Sequence, residues 1–517
     1  MTDRRTAKSL DDMPIAPGPA NVLEPLPIAA PKSHGLGPLI FRNVLTLIGG
    51  QGLNVALSGT ATILLARYLG AAQLGEYGGL YAYVGLYGWL TTFGLDTILA
   101  RQVAQNRDRA GSILLTGVCL SAVLAIVATV VALVLAPAFG YSVLLRPLLI
   151  FASVDILLLT PLRMPGIVFQ VDLRQWYGVG INLVRQFVWL LALILLAAAH
   201  ASLLWIIVGR SCCAVLEVAL IFLAIRSKNF LAGPWRVLSG EAKAYLSFGF
   251  PVAMSTLAVG IYHRIDQVML HKMANDQVLG NYVASVRLTE LVSLFPIAVM
   301  TSMFPILAQT AGDETRFRQY LRLSFRSLMA IAFGVCVFVT LFSGLIVRTA
   351  YGVKFAPAAP LLAVLIWSEV PVFFGVVMSN GLVAANLQNY LPLSTGVGAA
   401  VNIVLNLYAI PRWGAVGSAW ATNISYTLAA ILLFLAFRPT RSMAWLGFRI
   451  LAPPCLLAFF ITAILKLFPL SGFVVFLAAL GLIGLGAWLL GIVRKSDLDQ
   501  LVRLIGSTLA SAKSHAT

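Results

Sequence analysis

The sequence predicts an all-α integral membrane protein. Of its 517 residues, 60% are hydrophobic and only 11% are charged, and the mean hydropathy is +0.91. Soluble domains are roughly 45–50% apolar and about 25% charged. So few charged groups are not enough to cover a soluble protein of this size, and repeated apolar runs of about 20 residues match the thickness of a bilayer. We therefore expect lipid to surround most of the chain.

The apolar runs predict about fourteen transmembrane helices. Their approximate positions are 43–66, 76–99, 112–136, 143–162, 176–199, 201–225, 244–270, 278–307, 323–347, 358–385, 390–410, 414–437, 444–466 and 471–493. Several runs contain Gly or Pro, which membrane helices tolerate when neighbouring helices satisfy the freed backbone groups.

These runs predict two six-helix lobes followed by two extra helices. The N-lobe covers 39–225, a cytoplasmic linker 226–243, the C-lobe 244–437 and the extra spans 444–493. Residues 1–38 are polar and proline-rich, and we expect a disordered cytoplasmic tail without a cleavable signal peptide. In the final segment, 494–517, apolar residues at helical spacing predict an amphipathic helix on the membrane surface.

The distribution of basic residues predicts the orientation. With a cytoplasmic N-terminus, inside segments hold about 25 of the 36 Lys and Arg residues, and outside loops hold about eight. Positively charged loops prefer the cytoplasmic side. Both termini are therefore expected in the cytoplasm of a bacterial cell, with the chain crossing the inner membrane.

An internal repeat supports the two lobes. At a shift of 205 residues, Arg67 aligns with Lys272, Leu74 with Leu279, Gly75 with Gly280 and Tyr77 with Tyr282. Six predicted spans separate the copies, so both have the same orientation. This is the pattern of a parallel repeat in transporters, although a shared preference for Gly and Tyr at helix junctions would also produce it.

Ionisable residues within membrane spans are candidate functional groups, because they are costly there without a partner or a cavity. The candidate substrate or cavity residues are Arg67, Asp96, Arg101, Arg210, Arg264, Asp266, Arg287 and Glu290. Arg67 and Arg101 also fit snorkelling at helix ends, and Arg287 and Glu290, three residues apart, also fit a structural ion pair. Asp266 has no obvious local partner, which suggests substrate contact or proton coupling.

The net charge of +17 is spread over short loops and therefore does not predict nucleic-acid binding. An anionic cargo would explain arginines at membrane depth, because the planar guanidinium group binds phosphate through two hydrogen bonds. The aromatic residues Tyr81, Tyr83, Tyr87 and Trp89 are predicted either to stack on sugars or, more simply, to contact lipid or anchor at the membrane interface. No phosphate-binding loop, metal-ligand spacing or acidic catalytic cluster is present, so we expect no cofactor, no metal and no enzymatic activity.

Six motifs in order resemble the Wzx-type polysaccharide flippases of the multidrug/oligosaccharidyl-lipid/polysaccharide (MOP) exporter superfamily. They are Leu64-Leu65-Ala66-Arg67-Tyr68-Leu69-Gly70 with Leu74-Gly75-Glu76-Tyr77; Phe93-Gly94-Leu95-Asp96 with Arg101; Tyr262-His263-Arg264-Ile265-Asp266-Gln267; Gly280-Asn281-Tyr282 with Phe304-Pro305; Tyr351-Gly352 with Ala358-Ala359-Pro360; and Asn402, Asn406 and Gly414-Ala415-Val416-Gly417. The resemblance covers roughly residues 40–435.

The resemblance implies a V-shaped pair of six-helix lobes around a central cavity. The implied cargo is a polyprenyl-pyrophosphate-linked oligosaccharide, moved from the cytoplasmic to the periplasmic leaflet by alternating access for exopolysaccharide, O-antigen or capsule synthesis. The implied partners are polysaccharide polymerase and chain-length proteins, and the implied energy source is an ion gradient or membrane potential.

Three alternatives are weighed against this interpretation. A multidrug exporter of the same superfamily has the same fold, but the sugar-type motifs and the cationic bias disfavour it. A major-facilitator transporter is disfavoured because the loop from Arg101 to Gly111 lacks that family's motif. A glycan polymerase or ligase would need a large extramembrane loop or an acidic catalytic cluster, and neither is evident.

Overall fold

The computed structural model describes residues 36–172, 174–227 and 235–467. All regular secondary structure in these ranges is helical. Ten segments within them are long and apolar enough to cross a membrane. The all-α membrane class is therefore confirmed. The predicted span 471–493 and the C-terminal amphipathic helix lie outside the described residues. So does the predicted N-terminal tail, except for residues 36–38, which belong to the first helix.

Among the described residues, the first half of the chain contains nine α-helices. They are α1 (Leu36–Gly85), α2 (Gly88–Thr92), α3 (Leu95–Gln105), α4 (Ala110–Leu135), α5 (Arg146–Ser153), α6 (Thr160–Arg163), α7 (Ile167–Val171), α8 (Trp176–Ala198) and α9 (Leu203–Ser227). The second half contains α10 (Ser239–Met273), α11 (Asp276–Val292), α12 (Leu294–Thr310), α13 (Glu314–Tyr351), α14 (Ala358–Leu365), α15 (Glu369–Ala384), α16 (Tyr390–Thr427), α17 (Leu433–Ala436) and α18 (Arg438–Leu467).

Helix α1 reverses its direction at Gly70, where φ is 71° and ψ is 179°. Before this point, Gly59 lies beside Leu291 near the end of α11, whereas Gly75 and Gly78 lie beside Gly280 and Val283 near its start. The positive φ favours glycine because it has no Cβ. The loop predicted between 66 and 76 is therefore wrong: a single non-helical residue makes the turn.

Helix α16 forms the same kind of hairpin at Gly414, where φ is 55°. The Ser394 hydroxyl donates to the Ala429 carbonyl at 2.7 Å, and Asn402 donates to Ser425 at 3.0 Å. These pairs show that the two arms of α16 are antiparallel. As in α1, one glycine replaces the expected loop.

The predicted span 143–162 is not one regular helix. Between α5 and α6 the chain forms a π-helical turn at Val154–Leu158, and a 3-10 turn at Met164–Gly166 precedes α7. Pro161 and Pro165 cannot donate backbone hydrogen bonds, so they interrupt the α-helical pattern. π-Turns often occur at functional sites, and this one contains the buried Asp155.

The two halves cross at Gly75 and Gly280 with almost no space between their backbones. A Cβ added at Gly75 would lie 1.8 Å from the Asp276 carbonyl oxygen, and one added at Gly280 would lie 1.7 Å from the Ala71 carbonyl oxygen. Residues 75 and 280, like 71 and 276, are 205 positions apart. The two contacts are therefore reciprocal, and they follow the same shift as the sequence repeat.

This crossing predicts a clear difference between two glycines. Gly280→Ala should lower the thermal stability of the purified protein, because one methyl group must displace the α1 backbone; overpacking of this kind costs about 1–3 kcal/mol. Gly260→Ala is the matched control, since Gly260 has open space around its Cβ position and alanine favours a helix by about 0.5–1 kcal/mol. Equal melting temperatures for both variants would contradict the close crossing.

Candidate functional site

A cavity of about 270 Å³ lies between the two halves, next to the Gly75–Gly280 crossing. Its wall comes from both arms of α1 and from α8, α9, α11 and α13. The charged residues in the lining are Arg185, Arg210, Arg287 and Glu290. Both halves of the chain therefore contribute guanidinium groups to one membrane-embedded space.

The first half carries a chain of alternating charges behind this wall. Arg210 contacts Asp155 at 2.9 Å, and Asp155 contacts Arg163 at 3.2 Å. Arg163 contacts Glu217 at 2.9 Å, and Glu217 lies 3.4 Å from Arg185. Three arginines share two carboxylates. Each carboxylate is therefore paired, and the network has a net positive charge.

Two tyrosines of α1 hold Arg210 in place. Its Nη1 donates to the Tyr77 hydroxyl at 2.6 Å, and its guanidinium carbon lies 4.5 Å from the centre of the Tyr81 ring. A cation above an aromatic face is stabilised by the ring quadrupole. Tyr77 also lines the cavity. Thus Arg210 is fixed by Asp155, Tyr77 and Tyr81 and faces the cavity from a rigid position.

The aromatic residues of α1 have a different role from either one expected. Tyr81 and Tyr83 are buried within the protein, and the Tyr83 hydroxyl donates to the Ala132 carbonyl at 2.6 Å. They therefore neither face lipid nor present a ring to the cavity. Tyr81 instead helps to position Arg210, whose guanidinium group lies over its ring.

The second half contributes a pair and a free cation. Arg287 contacts Glu290 at 2.6 Å, and their side chains remain 39% and 52% exposed. Arg264 has no ion pair or hydrogen bond with any described residue. Arg264 lies outside the cavity lining, and its guanidinium group packs against Gly85 of α1. It is close enough to Arg287, Glu290 and Arg210 to interact with them electrostatically. Arginines thus outnumber carboxylates around the cavity.

Asp266 does not line the cavity but is buried in a separate polar cluster. It accepts hydrogen bonds from the Tyr282 hydroxyl at 2.5 Å and from the Gln267 amide at 2.7 Å. The Tyr282 hydroxyl also lies 3.4 Å from Thr422. The carboxylate therefore connects α10, α11 and α16, and its partners are neutral.

Buried amides continue this cluster along α16. Asn406 donates to Asn402 at 2.9 Å, but its own side-chain oxygen has no partner among the described residues. A buried polar atom without a hydrogen-bond partner is costly. The cluster is consequently a second polar site, distinct from the cavity.

The remaining predicted site residues lie away from the cavity. Asp96 is in the first turn of α3, where a carboxylate favourably meets the helix dipole, and Arg101 is exposed on the same helix. Arg67 donates to the carbonyls of Ala350 and Thr349 at 2.7 and 2.5 Å. It therefore binds the C-terminal end of α13 in the other half.

Lys272 makes the reciprocal contact. Its Nζ donates to the Ala138 carbonyl at 2.8 Å, two residues before Gly140, just as Ala350 lies two residues before Gly352. Gly140 and Gly352 both have positive φ values, 93° and 91°. Each half thus places one basic residue, at equivalent positions of the repeat, on a helix end of the other. With the Gly75–Gly280 crossing, these contacts close one end of the cavity.

The described residues include no group of three or more His, Cys, Asp or Glu positioned to hold a metal ion. The arrangement therefore offers guanidinium groups, neutral amides and hydroxyls to a ligand. Asp155, Arg185 and Glu217 also lie within predicted spans and Arg163 follows the predicted span 143–162, but the sequence cannot show that these four residues meet. The sequence feature that could have pointed to this region is the pair Pro161 and Pro165, because two prolines around the end of a predicted span indicate an irregular backbone.

The chain is similar to known membrane transporters. Residues 64–360 match the family model for polysaccharide biosynthesis proteins. The chain is 20% identical over 373 residues to a "probable low-salt glycan biosynthesis flippase" of Haloferax volcanii, and the match covers 71% of this chain and 77% of the relative.

Solved structures share its fold. The lipid II flippase MurJ in an inward closed conformation aligns with a TM-score of 0.68 and 13% identity, over 86% of this chain and 98% of that chain. An inward-facing multidrug resistance transporter of the MATE family, in the MOP superfamily, aligns with a TM-score of 0.57 and 17% identity, over 76% of this chain and 95% of that chain.

These relatives are transporters rather than enzymes. The ten apolar helical segments among the described residues and the shared fold make this chain a multi-pass membrane protein. The family match extends over more than half of its length, and the chain accordingly belongs to the polysaccharide biosynthesis protein family.

Proposed function

We propose that this protein is a flippase that moves a polyprenyl-pyrophosphate-linked oligosaccharide from the cytoplasmic to the periplasmic leaflet for polysaccharide biosynthesis. The observation that carries the proposal is the cavity lined by Arg185, Arg210 and Arg287 from both halves. A diphosphate loses its hydration when it enters a membrane-embedded cavity, and charge-assisted hydrogen bonds from arginine replace that hydration.

The size of the cavity fits the headgroup rather than the whole lipid. Ligand pockets commonly measure about 300–1,000 Å³, and this cavity of about 270 Å³ has room for a diphosphate and the nearest sugar. A polyprenyl chain has no place there and is proposed to stay in the bilayer. A cationic drug would meet three guanidinium groups, so the cavity favours an anionic cargo over such a drug.

Alternating access follows from the closed end. With the N-terminus in the cytoplasm, α1 reaches the periplasmic side at Gly70, so the contacts of Arg67 and Lys272 seal the periplasmic end in this state. We infer that they break when the cavity opens outward. Both basic side chains bind carbonyls at helix ends, where the helix dipole favours a cation, and both can exchange these carbonyls for water.

The finer assignments belong to the same proposal. The chain would cross a bacterial inner membrane fourteen times, with both termini in the cytoplasm and two six-helix lobes around the cavity. Gly70 and Gly414 support this count, because each divides one of the ten segments into two antiparallel arms. Polysaccharide polymerase and chain-length proteins are the expected partners.

Arg210 gives the most direct test of the cavity. In Arg210→Gln, binding of polyprenyl pyrophosphate to the purified protein in nanodiscs should weaken about 10–100-fold, the equivalent of one charge-assisted hydrogen bond of about 1.5–3 kcal/mol. Arg412→Gln is the matched control, because Arg412 stacks on Tyr408 at 3.7 Å outside the cavity. Equal affinities for the two variants would remove Arg210 from the site.

Asp266 is proposed to couple transport to an ion gradient, as a proton site or a cation site within its neutral cluster. In Asp266→Asn, proteoliposomes should still exchange the lipid between leaflets at equilibrium but should not accumulate it in response to a proton or sodium gradient. Gradient-driven transport at the wild-type rate would exclude this role.

A further inference from the structure

The closed end of the cavity also holds titratable side chains from both halves of the chain. Glu76 directly follows Gly75 on α1, and the backbone carbonyl of Asp276 lies against Gly75. His271 of α10 contacts Asp276, with its Nδ1 2.8 Å from a carboxylate oxygen. Glu76 is close enough to both of these residues to interact with them electrostatically. One histidine and two carboxylates therefore meet where the two halves cross.

Tyr141 completes this cluster from the first half. Its ring stacks on the His271 ring with the centroids 4.2 Å apart, and its buried hydroxyl has no hydrogen-bond partner among the described residues. The Tyr141 hydroxyl and the His271 Nδ1 both lie 3.4 Å from the position of a Cβ on Gly79 of α1. A buried polar atom without a partner is costly, so this hydroxyl indicates a polar site that still has a hydrogen bond to offer.

The internal repeat shows that these charges are not needed for the crossing itself. At the shift of 205 residues, the uncharged counterparts of Asp276 and His271 are Ala71 and Ala66. Ala71 makes the reciprocal backbone contact, with Gly280, without a charged side chain. The first turn of α11 favours an acid at Asp276, but this preference does not explain the histidine that contacts it.

Protonation of the cluster changes the attraction between the two halves. When His271 is neutral and both acids are ionised, the two carboxylates repel each other across the crossing. A proton on His271 places a cation beside both carboxylates, and a proton on Glu76 removes the repulsion. Either proton therefore favours the closed state. Histidine changes its charge most readily between about pH 5 and pH 8, so the effect falls in the physiological range.

The other charged and titratable groups around the cluster do not reverse this direction. Lys272 of α10 directs its Nζ to the Ala138 carbonyl at 2.8 Å. Tyr83 packs against Tyr141 with the ring centroids 4.8 Å apart, and tyrosines are uncharged in this pH range. The Asp276 side chain is 43% exposed, so protons reach the cluster from the solution at this end.

We propose that Glu76, His271 and Asp276 form a proton-binding site that holds this end of the cavity closed when it is occupied. Loss of the proton weakens the closed state and favours opening. The proposal rests on the alternating access of the proposed function, and it adds the ligand that controls one step. In the proposed topology the site faces the periplasm, so protons from that side promote closing after the cargo has left.

The experiment measures opening of this end by pulsed electron paramagnetic resonance on the full chain in nanodiscs. Spin-labelled unnatural amino acids replace Leu144 and Val353, two exposed residues close in sequence to Gly140 and Gly352 of the respective halves. Distances are recorded at about pH 5.5 and about pH 8.5, on either side of the histidine titration. We expect the ratio of closed to open protein to fall about fivefold at the higher pH, as for one ion pair at a partly exposed interface.

Two variants locate the effect. Glu76→Gln resembles the protonated acid, so the ratio should stay near the acidic wild-type value at both pH values. In His271→Asn the amide can still donate to Asp276 but does not titrate, so the closed state should be weaker than in the wild-type protein at about pH 5.5. His200→Asn is the matched control, because His200 is exposed between α8 and α9, and its pH response should equal that of the wild-type protein.

The outcomes separate this proposal from the function on which it rests. If the distance between the labels changes when polyprenyl pyrophosphate is added but not with pH, the proton site is wrong and alternating access stands. A closed state that is weaker at the acidic pH, or a wild-type pH response in either the Glu76 or the His271 variant, would also overturn it. If every condition, including added lipid, gives the same single distance, alternating access fails, and this inference fails with it.

Discussion

The positive charge of guanidinium groups within a membrane must be balanced by nearby carboxylates, and in this protein there are fewer carboxylates than arginines around the cavity. Asp155 and Glu217 each serve two arginines, while Arg264 has no paired carboxylate among the described residues. Full pairing would leave a neutral cavity, and no pairing would be too costly to fold. The remaining positive charge is what an anionic headgroup would neutralise, so the proposed function and the stability of the fold depend on the same balance.

The proposed alternating access requires that the two halves separate without unfolding. Their backbones meet at Gly75 and Gly280, and around this crossing side chains of both halves, among them Tyr77, Leu279 and Val283, pack into one hydrophobic core. Arg67 and Lys272 bind helix ends across the same junction through a few polar contacts. In the proposed transport cycle this junction opens when the cavity faces outward, and the repeat supplies its glycine and its basic residue twice.

Composition and periodicity were sufficient to predict the membrane class, most helix positions and the pairing partners Arg287 and Glu290, because hydrophobic runs and i,i+3 spacing are local properties. The hairpins at Gly70 and Gly414 were mistaken for loops, since a single residue of positive φ leaves almost no polar signal. The network of Arg210, Asp155 and Arg163 was not predictable, because its members come from separate helices and a π-turn. Asp266 stands out in the sequence as a carboxylate within a span, but the sequence cannot show that Tyr282 binds it outside the cavity lining.

The central claim is that arginines from both halves bind one anionic headgroup in the cavity. A structure of the full chain with polyprenyl pyrophosphate bound tests it most directly. The account predicts phosphate oxygens within hydrogen-bond distance of Arg210 from the first half and of Arg287 from the second half. A diphosphate bound at the lipid-facing surface, with both guanidinium groups still satisfied only by protein, would contradict it.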